Sequence, residues 1–183
     1  MLLKPVEIYC KKAECNIEVR SASIGDIGGI LDVKRDVTAK SPYSFYTADE
    51  VPSYNQEMDS VLSLSSDRHS GMIVAVMKDK IIGFCSFQAL DRTSRTMHRA
   101  RVRVSFLDEY TSKGYGTILF NTALDLIEGA GFEQVELETV TKNERAVQLY
   151  LKSGFNIVGT IKDAISLGDG NYYDTYLMVK VFR

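Results

Sequence analysis

Cysteine, histidine, long apolar runs and charge of one sign are all scarce in this chain. The three cysteines, Cys10, Cys15 and Cys85, contain no Cys-x-x-Cys pair, and their odd number argues against a disulfide framework. Free thiols in a reducing compartment follow, and Cys85, inside an apolar segment, reads as a small core residue. Two histidines and scattered cysteines leave no ligand cluster for a structural metal. No apolar run approaches membrane-spanning length, and Met1-Leu2-Leu3-Lys4-Pro5 opens the chain without the apolar stretch of a secretory leader. A cytoplasmic protein is therefore expected. With 22 basic and 24 acidic side chains the formal net charge is −2, so bulk charge gives no footprint for nucleic acid. What is present is 183 residues of ordinary globular composition, enough for a single domain with a sizeable core.

Periodicity places the elements. Residues 1–15 are weakly periodic and read as an edge segment without an assigned function. Ile17 to Arg20 alternates as a strand, and Ser23 to Asp26 opens a helix that continues toward Thr38 although Gly28-Gly29 weakens it. Lys40 to Asn55 breaks periodicity around Pro42 and Pro52 and carries Tyr43, Phe45, Tyr46 and Tyr54. A loop of that length is often functional, but its rings equally suit a plug for the core. Glu57 to Ser65 reads as a second helix. Met72–Met77 and Ile81–Phe87 are strands joined by a tight turn at Lys78-Asp79-Lys80. After a polar turn at Asp91 to Thr96, His98 to Phe106 is the next strand. Val135 to Val140, Phe155 to Ile161 and Tyr172 to Val181 are the last three strands, with a loop from Leu167 to Asn171. The order of strands and helices predicts an α/β layered fold on one mixed sheet.

The centre of the chain is Lys113-Gly114-Tyr115-Gly116-Thr117, set between the strand ending at Phe106 and an amphipathic helix carrying Ile118, Leu119, Ala123, Leu126 and Ile127. The first turn of such a helix leaves N–H groups unpaired and carries a partial positive charge, and glycine lets an anion approach the backbone. A phosphate or pyrophosphate fits that chemistry, and so does a helix cap that binds nothing. The Walker pattern fails, because no Lys follows Gly116; the dinucleotide fingerprint fails, because Leu119 stands where its third Gly belongs.

Further on, Asn143 to Phe155 reads as a short helix with Asn143 as N-cap and Gly154 as its left-handed stop. Here the chain resembles the GNAT superfamily of N-acetyltransferases. The family's acetyl-CoA loop, Gln/Arg-x-x-Gly-x-Gly/Ala, aligns with Thr111-Ser112-Lys113-Gly114-Tyr115-Gly116. Its later signature, Asn-x-x-Ala-x-x-Leu-Tyr-x-x-x-Gly-Phe, is matched by Asn143, Ala146, Leu149, Tyr150, Gly154 and Phe155. The loop departs at its first position, where Thr111 stands for Gln or Arg and Lys113 is a partial substitute.

The resemblance implies a single-domain α/β fold with a mixed, mostly antiparallel, splayed sheet flanked by helices. Residues 16–183 would form the N-acetyltransferase domain, with residues 1–15 packed on it as an N-terminal extension. It implies acetyl-CoA as cosubstrate, a primary amine as acceptor, no metal and, commonly, a homodimer. By resemblance the cofactor lies against Phe106, Leu107, Thr111, Ser112, Lys113, Gly114, Tyr115, Gly116, Thr117, Asn143, Ala146 and Tyr150, and Tyr150 protonates the departing thiolate. The loop after the first helix borders the acceptor, where Asp49 and Glu50 could attract a cationic amine. Many members carry a Glu ten or eleven residues before the loop; counting back from Thr111 gives Arg101 and Ala100, neither of them a base. His98, Glu138 and a water chain are the substitutes, and no base is assigned. A sensor that binds acyl-CoA without turnover, and an acetyltransferase for protein N-termini or lysines, stand as alternatives to a small-molecule or amino-acid-like acceptor.

Overall fold

The computed structural model describes residues 3–91, 93, 95–166, 168 and 170–182. The chain runs β1 (Val6–Cys10), β2 (Cys15–Ser21), α1 (Ile27–Lys40), α2 (Tyr54–Ser66), β3 (Ser70–Met77), β4 (Lys80–Ala89), β5 (Arg99–Phe106), α3 (Tyr115–Gly129), β6 (Gln134–Val140), α4 (Glu144–Lys152), β7 (Asn156–Ser166) and β8 (Tyr172–Val181). The strands make one mixed sheet in the order β1-β2-β3-β4-β5-β6-β8-β7. Six of its seven neighbour pairs are antiparallel and β5–β6 is parallel. The α/β class and the mostly antiparallel, splayed sheet are as the sequence predicts.

Local chemistry sets the boundaries. α2 begins at Tyr54, three residues ahead of the sequence reading, because Ser53 and Gln56 form a reciprocal capping box. The β3–β4 hairpin closes on Lys78 and Asp79, both left-handed with φ of 48° and 62°, the twist a two-residue hairpin needs. β7 reaches Ser166, five residues past the expected end, and nearly all of it is exposed. Of the predicted loop that follows, Leu167 and Asp169 lie outside the described residues, as do Arg92 and Ser94 of the turn before β5. Residues 6–10 are built into the sheet: β1 is its outer strand, paired with β2 from Val6↔Val19 to Cys10↔Cys15.

Helices cover both faces. On one side α1 buries Ile27, Ile30, Leu31 and Val33, and α2 buries Val61, with Met72, Val74, Ile81 and Phe84 of the sheet. On the other, α3 buries Leu119, Phe120, Ala123, Leu124 and Ile127 in a larger cluster that includes Ile73, Cys85, Val102, Leu137, Tyr150 and Phe155. Gly29 resolves the apparent weakness of α1. A Cβ there would lie 2.6 Å from Cγ1 of Ile81, so glycine lets the helix sit directly on β4.

The β5–β6 pairing lasts for three residues, Arg99↔Gln134, Ala100↔Val135 and Arg101↔Glu136. β5 nevertheless stays bound to β4 as far as Phe106, and β6 to β8 as far as Val140. Each half of the sheet is whole, and the gap lies between them.

Candidate active site

Register decides which backbone groups face that gap. Leu107 N–H donates to Ile82 C=O at 2.9 Å beyond the pair Gly83↔Phe106, and Leu90 N–H donates to Arg99 C=O at 2.9 Å beyond the pair Ala89↔Ala100. In an antiparallel ladder such bonds flank a non-hydrogen-bonded pair. The N–H and C=O of Phe106 and, by alternation, of Val104 therefore point away from β4 and into the gap. Leu107 is differently placed from its expected role beside the cofactor: its N–H is spent on Ile82 and its C=O accepts from Tyr110 N–H at 3.0 Å. The Phe106 ring covers Gly83, where a Cβ would lie 2.5 Å from the ring.

At the mouth of the gap stands the loop from Thr111 to Thr117. Ser112 and Gly114 are left-handed, with φ of 59° and 96°, and Gly114 is the N-cap of α3. Left-handed residues on either side of Lys113 are the alternation that gathers N–H groups into an anion-binding nest, and the first turn of α3 adds its own unpaired donors. A Cβ at Gly114 would sit 3.1 Å from Cys10 Sγ and 3.2 Å from Lys12 Cβ, so the β1–β2 turn backs this loop closely. Cys10 Sγ donates to Lys113 C=O at 3.4 Å, and the Tyr115 hydroxyl pairs with Cys15 Sγ at 3.2 Å. The thiol pairing and burial push the Tyr115 phenol up to about 12. Its side chain is thus turned into the core, leaving its backbone for a ligand. Lys113 Nζ lies over the Tyr110 ring at 5.6 Å.

Thr111 is not alone at the loop's first position. Arg145, in the first turn of α4, reaches across to donate to Thr111 Oγ1, and its guanidinium stands 3.7 Å from Asp108. A cation is therefore held against Thr111, the loop position at which the family carries Gln or Arg. It arrives from the opposite wall, at an unspecified position of the Asn143 motif.

Asn143 Oδ1 accepts from Ala146 N–H at 3.3 Å, capping α4. About two turns later Tyr150 lies among Phe120 and Phe155, with ring centroids 5.2 and 6.1 Å away. Burial pushes the Tyr150 phenol well above its ordinary value, with Cys85 adding to the shift. The group is thus protonated throughout the neutral and mildly alkaline range. Together with Asn143, Leu137, Glu138 and Thr139, Tyr150 lines a cavity of about 270 Å³ whose other wall is Val102 to Ser105.

That cavity continues toward α1 and α2. A larger one, of about 450 Å³, shares with it Val37, Ser44, Tyr46, Arg101, Arg103 and Ser105. Tyr43 and Phe45 line the smaller cavity, and Phe45 and Tyr46 are exposed. The aromatic loop is thus a cavity wall and not a core plug. Glu50 also lines the larger cavity, but its carboxylate accepts from Thr47 N–H at 2.8 Å, and Asp49 accepts from Thr47 Oγ1 at 2.6 Å. Of the two candidate bases, Glu138 lines the cavity that holds Tyr150 and accepts from Thr175 Oγ1 at 2.5 Å. His98 precedes β5, roughly 26 Å along the strand from Phe106 at about 3.3 Å per residue, and lines neither cavity.

A splayed β5–β6 pair, an N–H-rich turn at the mouth and a tyrosine lining the gap are the arrangement that the resemblance to N-acetyltransferases implies. The sequence model of the Acetyltransferase (GNAT) family matches residues 38–155. The chain belongs to the GNAT family of N-acetyltransferases, whose cosubstrate is acetyl-CoA. It is 26% identical over 110 residues to the L-amino acid N-acetyltransferase AaaT of Escherichia coli K12, covering 60% of this chain and 67% of that protein. It is 25% identical over 163 residues to an N-alpha-acetyltransferase of Sulfurisphaera tokodaii, covering 87% and 90%. Its fold is similar to that of a phosphinothricin acetyltransferase from Sinorhizobium meliloti solved with acetyl-CoA, with a TM-score of 0.80, 18% identity and coverage of 89% and 86%.

Proposed function

We propose that this chain transfers an acetyl group from acetyl-CoA directly to the primary amine of a small, amino-acid-like acceptor. The observation that carries the reading is that the two cavities adjoin and share a wall of Arg101, Arg103 and Ser105. One is lined by Tyr150 and Val104, and it shares Arg101, Arg103 and Ser105 with the cavity beside the aromatic loop. An acceptor entering from the α1–α2 side meets a thioester laid in the gap without a covalent enzyme intermediate, so positioning supplies much of the rate.

In this reading the N–H groups of residues 112–117 hold the pyrophosphate, with Arg145 and Lys113 as the nearby cations. The inward N–H and C=O groups of Val104 and Phe106 hold the pantetheine arm as a strand would. Tyr150, kept protonated by burial, donates a hydrogen bond to the departing thiolate. A phenol pKa near 10 and a thiol pKa near 8.5 rise together on burial, so the two stay matched for proton transfer. Glu138, held by Thr175, is the carboxylate in the same cavity that takes the amine proton, directly or through water.

The test is thiol release from acetyl-CoA with a panel of amines, for the native chain and Tyr150→Phe. The expected outcome is a fall in kcat of about 100-fold with acetyl-CoA affinity nearly unchanged. Equal thiol release by the two proteins would remove Tyr150 from the mechanism. Acetyl-CoA binding with no thiol release from any amine would favour a sensor. The Sulfurisphaera relative favours a second reading, acetylation of a protein N-terminus, and a peptide panel in the same assay separates it from the first.

A further inference from the structure

Arg101 and Arg103 lie two residues apart on β5, so their side chains leave the same face of the sheet, about 6.6 Å apart along the strand. Both line both cavities. Other cations on these elements have carboxylate partners: Arg99 binds Glu136 at 2.5 Å, and Lys34 binds Glu57 at 2.5 Å. Among the described residues the side chains of Arg101 and Arg103 have no ion-pair or hydrogen-bond partner, and both residues are exposed. Across the gap stand Glu138 and Tyr150. The walls are therefore polarised, with two unpaired cations on one side and a carboxylate on the other.

We infer that Arg101 and Arg103 are specificity-determining residues that bind an anionic group of the acceptor, so that the acceptor carries a carboxylate, or a phosphinate of similar size, next to its amine. This deepens the proposed function and rests on it. A guanidinium donates two parallel hydrogen bonds to a planar carboxylate, and two guanidiniums on adjacent same-face positions can converge on one anion. With the anion on β5, the amine of a zwitterionic acceptor turns toward Glu138 and the thioester. The same two positive charges oppose the ammonium form of that amine and lower its pKa, which favours the neutral nucleophile. The arginine at position 101 thus serves recognition of the acceptor's own charge, while the amine proton goes to Glu138 on the facing strand.

The experiment measures kcat/KM for a panel of L-amino acids and for the same amino acids as primary amides, which keep the size and the amine but lose the negative charge. The native enzyme should prefer acids to amides by about 100-fold, the loss of a charge-assisted contact in the amide. Arg101→Gln and Arg103→Gln should each bring the ratio down tenfold or more, chiefly through KM of the acid, and Arg103→Lys should restore part of it. Acetyl-CoA affinity and melting temperature of each variant report that the fold and the gap are intact. An acid-to-amide ratio near one in the native enzyme, or an equal loss on both substrates in the variants, overturns the inference and leaves the acetyltransferase reading in place. Acetyl-CoA binding without thiol release from any acid or amide overturns both.

Discussion

Gly28 and Gly29 stand side by side in the first turn of α1 and have opposite surroundings. A Cβ at Gly28 meets nothing within 4 Å, whereas one at Gly29 meets Cγ1 and Cβ of Ile81 at 2.6 and 2.8 Å. Gly28→Ala should stabilise by about 0.5 kcal/mol, by restricting the unfolded chain. Gly29→Ala should destabilise by about 2 kcal/mol, because Cβ of Ile81 is fixed to the strand backbone and no side-chain rotation moves it away. Denaturant midpoints that move in the same direction for the two variants would refute this account. Residue roles were legible in the sequence wherever they depend on the residue's own backbone. Gly114 and Gly154 are left-handed, with φ of 96° and 89°, and Asn143 is a cap, as their types suggest. Arg145 was not legible, because it takes its meaning from Thr111 and Asp108, which are distant from it in sequence.

At the scale of elements, the entry to α1 is held by one carboxylate. Asp26 receives two hydrogen bonds from the Arg20 guanidinium, at 2.6 and 2.8 Å, and two more from Ser23 N–H and Oγ, each at 2.8 Å. Burial alone would raise its pKa, but the bonds from Arg20 and Ser23 outweigh burial and hold it below the ordinary carboxylate value. A depressed carboxylate contributes stability above its unfolded pKa, near 3.9, and that contribution is lost as pH falls through the lower folded value. Asp26→Asn should therefore cost about 2 kcal/mol at pH 7, and the difference from the native chain should shrink below about pH 4. A gap that is constant down to pH 2 would show that the charge is not what matters. α1, β5, β6 and α4 were readable because each buries one stripe or face, and β3 and β4 because both their faces are buried and they read as continuous apolar runs. β1 was not, because Val6, Glu7 and Tyr9 are exposed and only its partner β2 orders it. Most of β7 is hidden from pattern reading for the same reason.

For the whole molecule, the sheet behaves as two slabs joined by a short seam. β1 to β5 form one slab and β6, β8 and β7 the other, and the parallel pairing of β5 with β6 spans three residue pairs. α3 links the slabs in sequence and buries its apolar face in the shared core. The fold class was legible as a whole because strand–helix–strand order constrains topology strongly. The opening between the slabs was implied by family resemblance alone, since no local pattern tells a strand to leave its neighbour.

Two amides record that opening as a clock. The N–H groups of Val104 and Phe106 point into the gap, while those of Arg103 and Ser105 between them are bonded to β4. In deuterated water, adjacent residues of one strand should therefore exchange at alternating speeds. The gap-facing pair should trade hydrogen quickly in the free protein, and its neighbours slowly. Added acetyl-CoA, held there as a surrogate strand, should slow the fast pair and leave the slow pair almost unchanged. A mass-spectrometric or NMR exchange series over residues 102–107 would show this even before any acceptor is identified. Uniform protection in the free chain, or no slowing on saturation, would mean that the gap is not where the thioester arm lies.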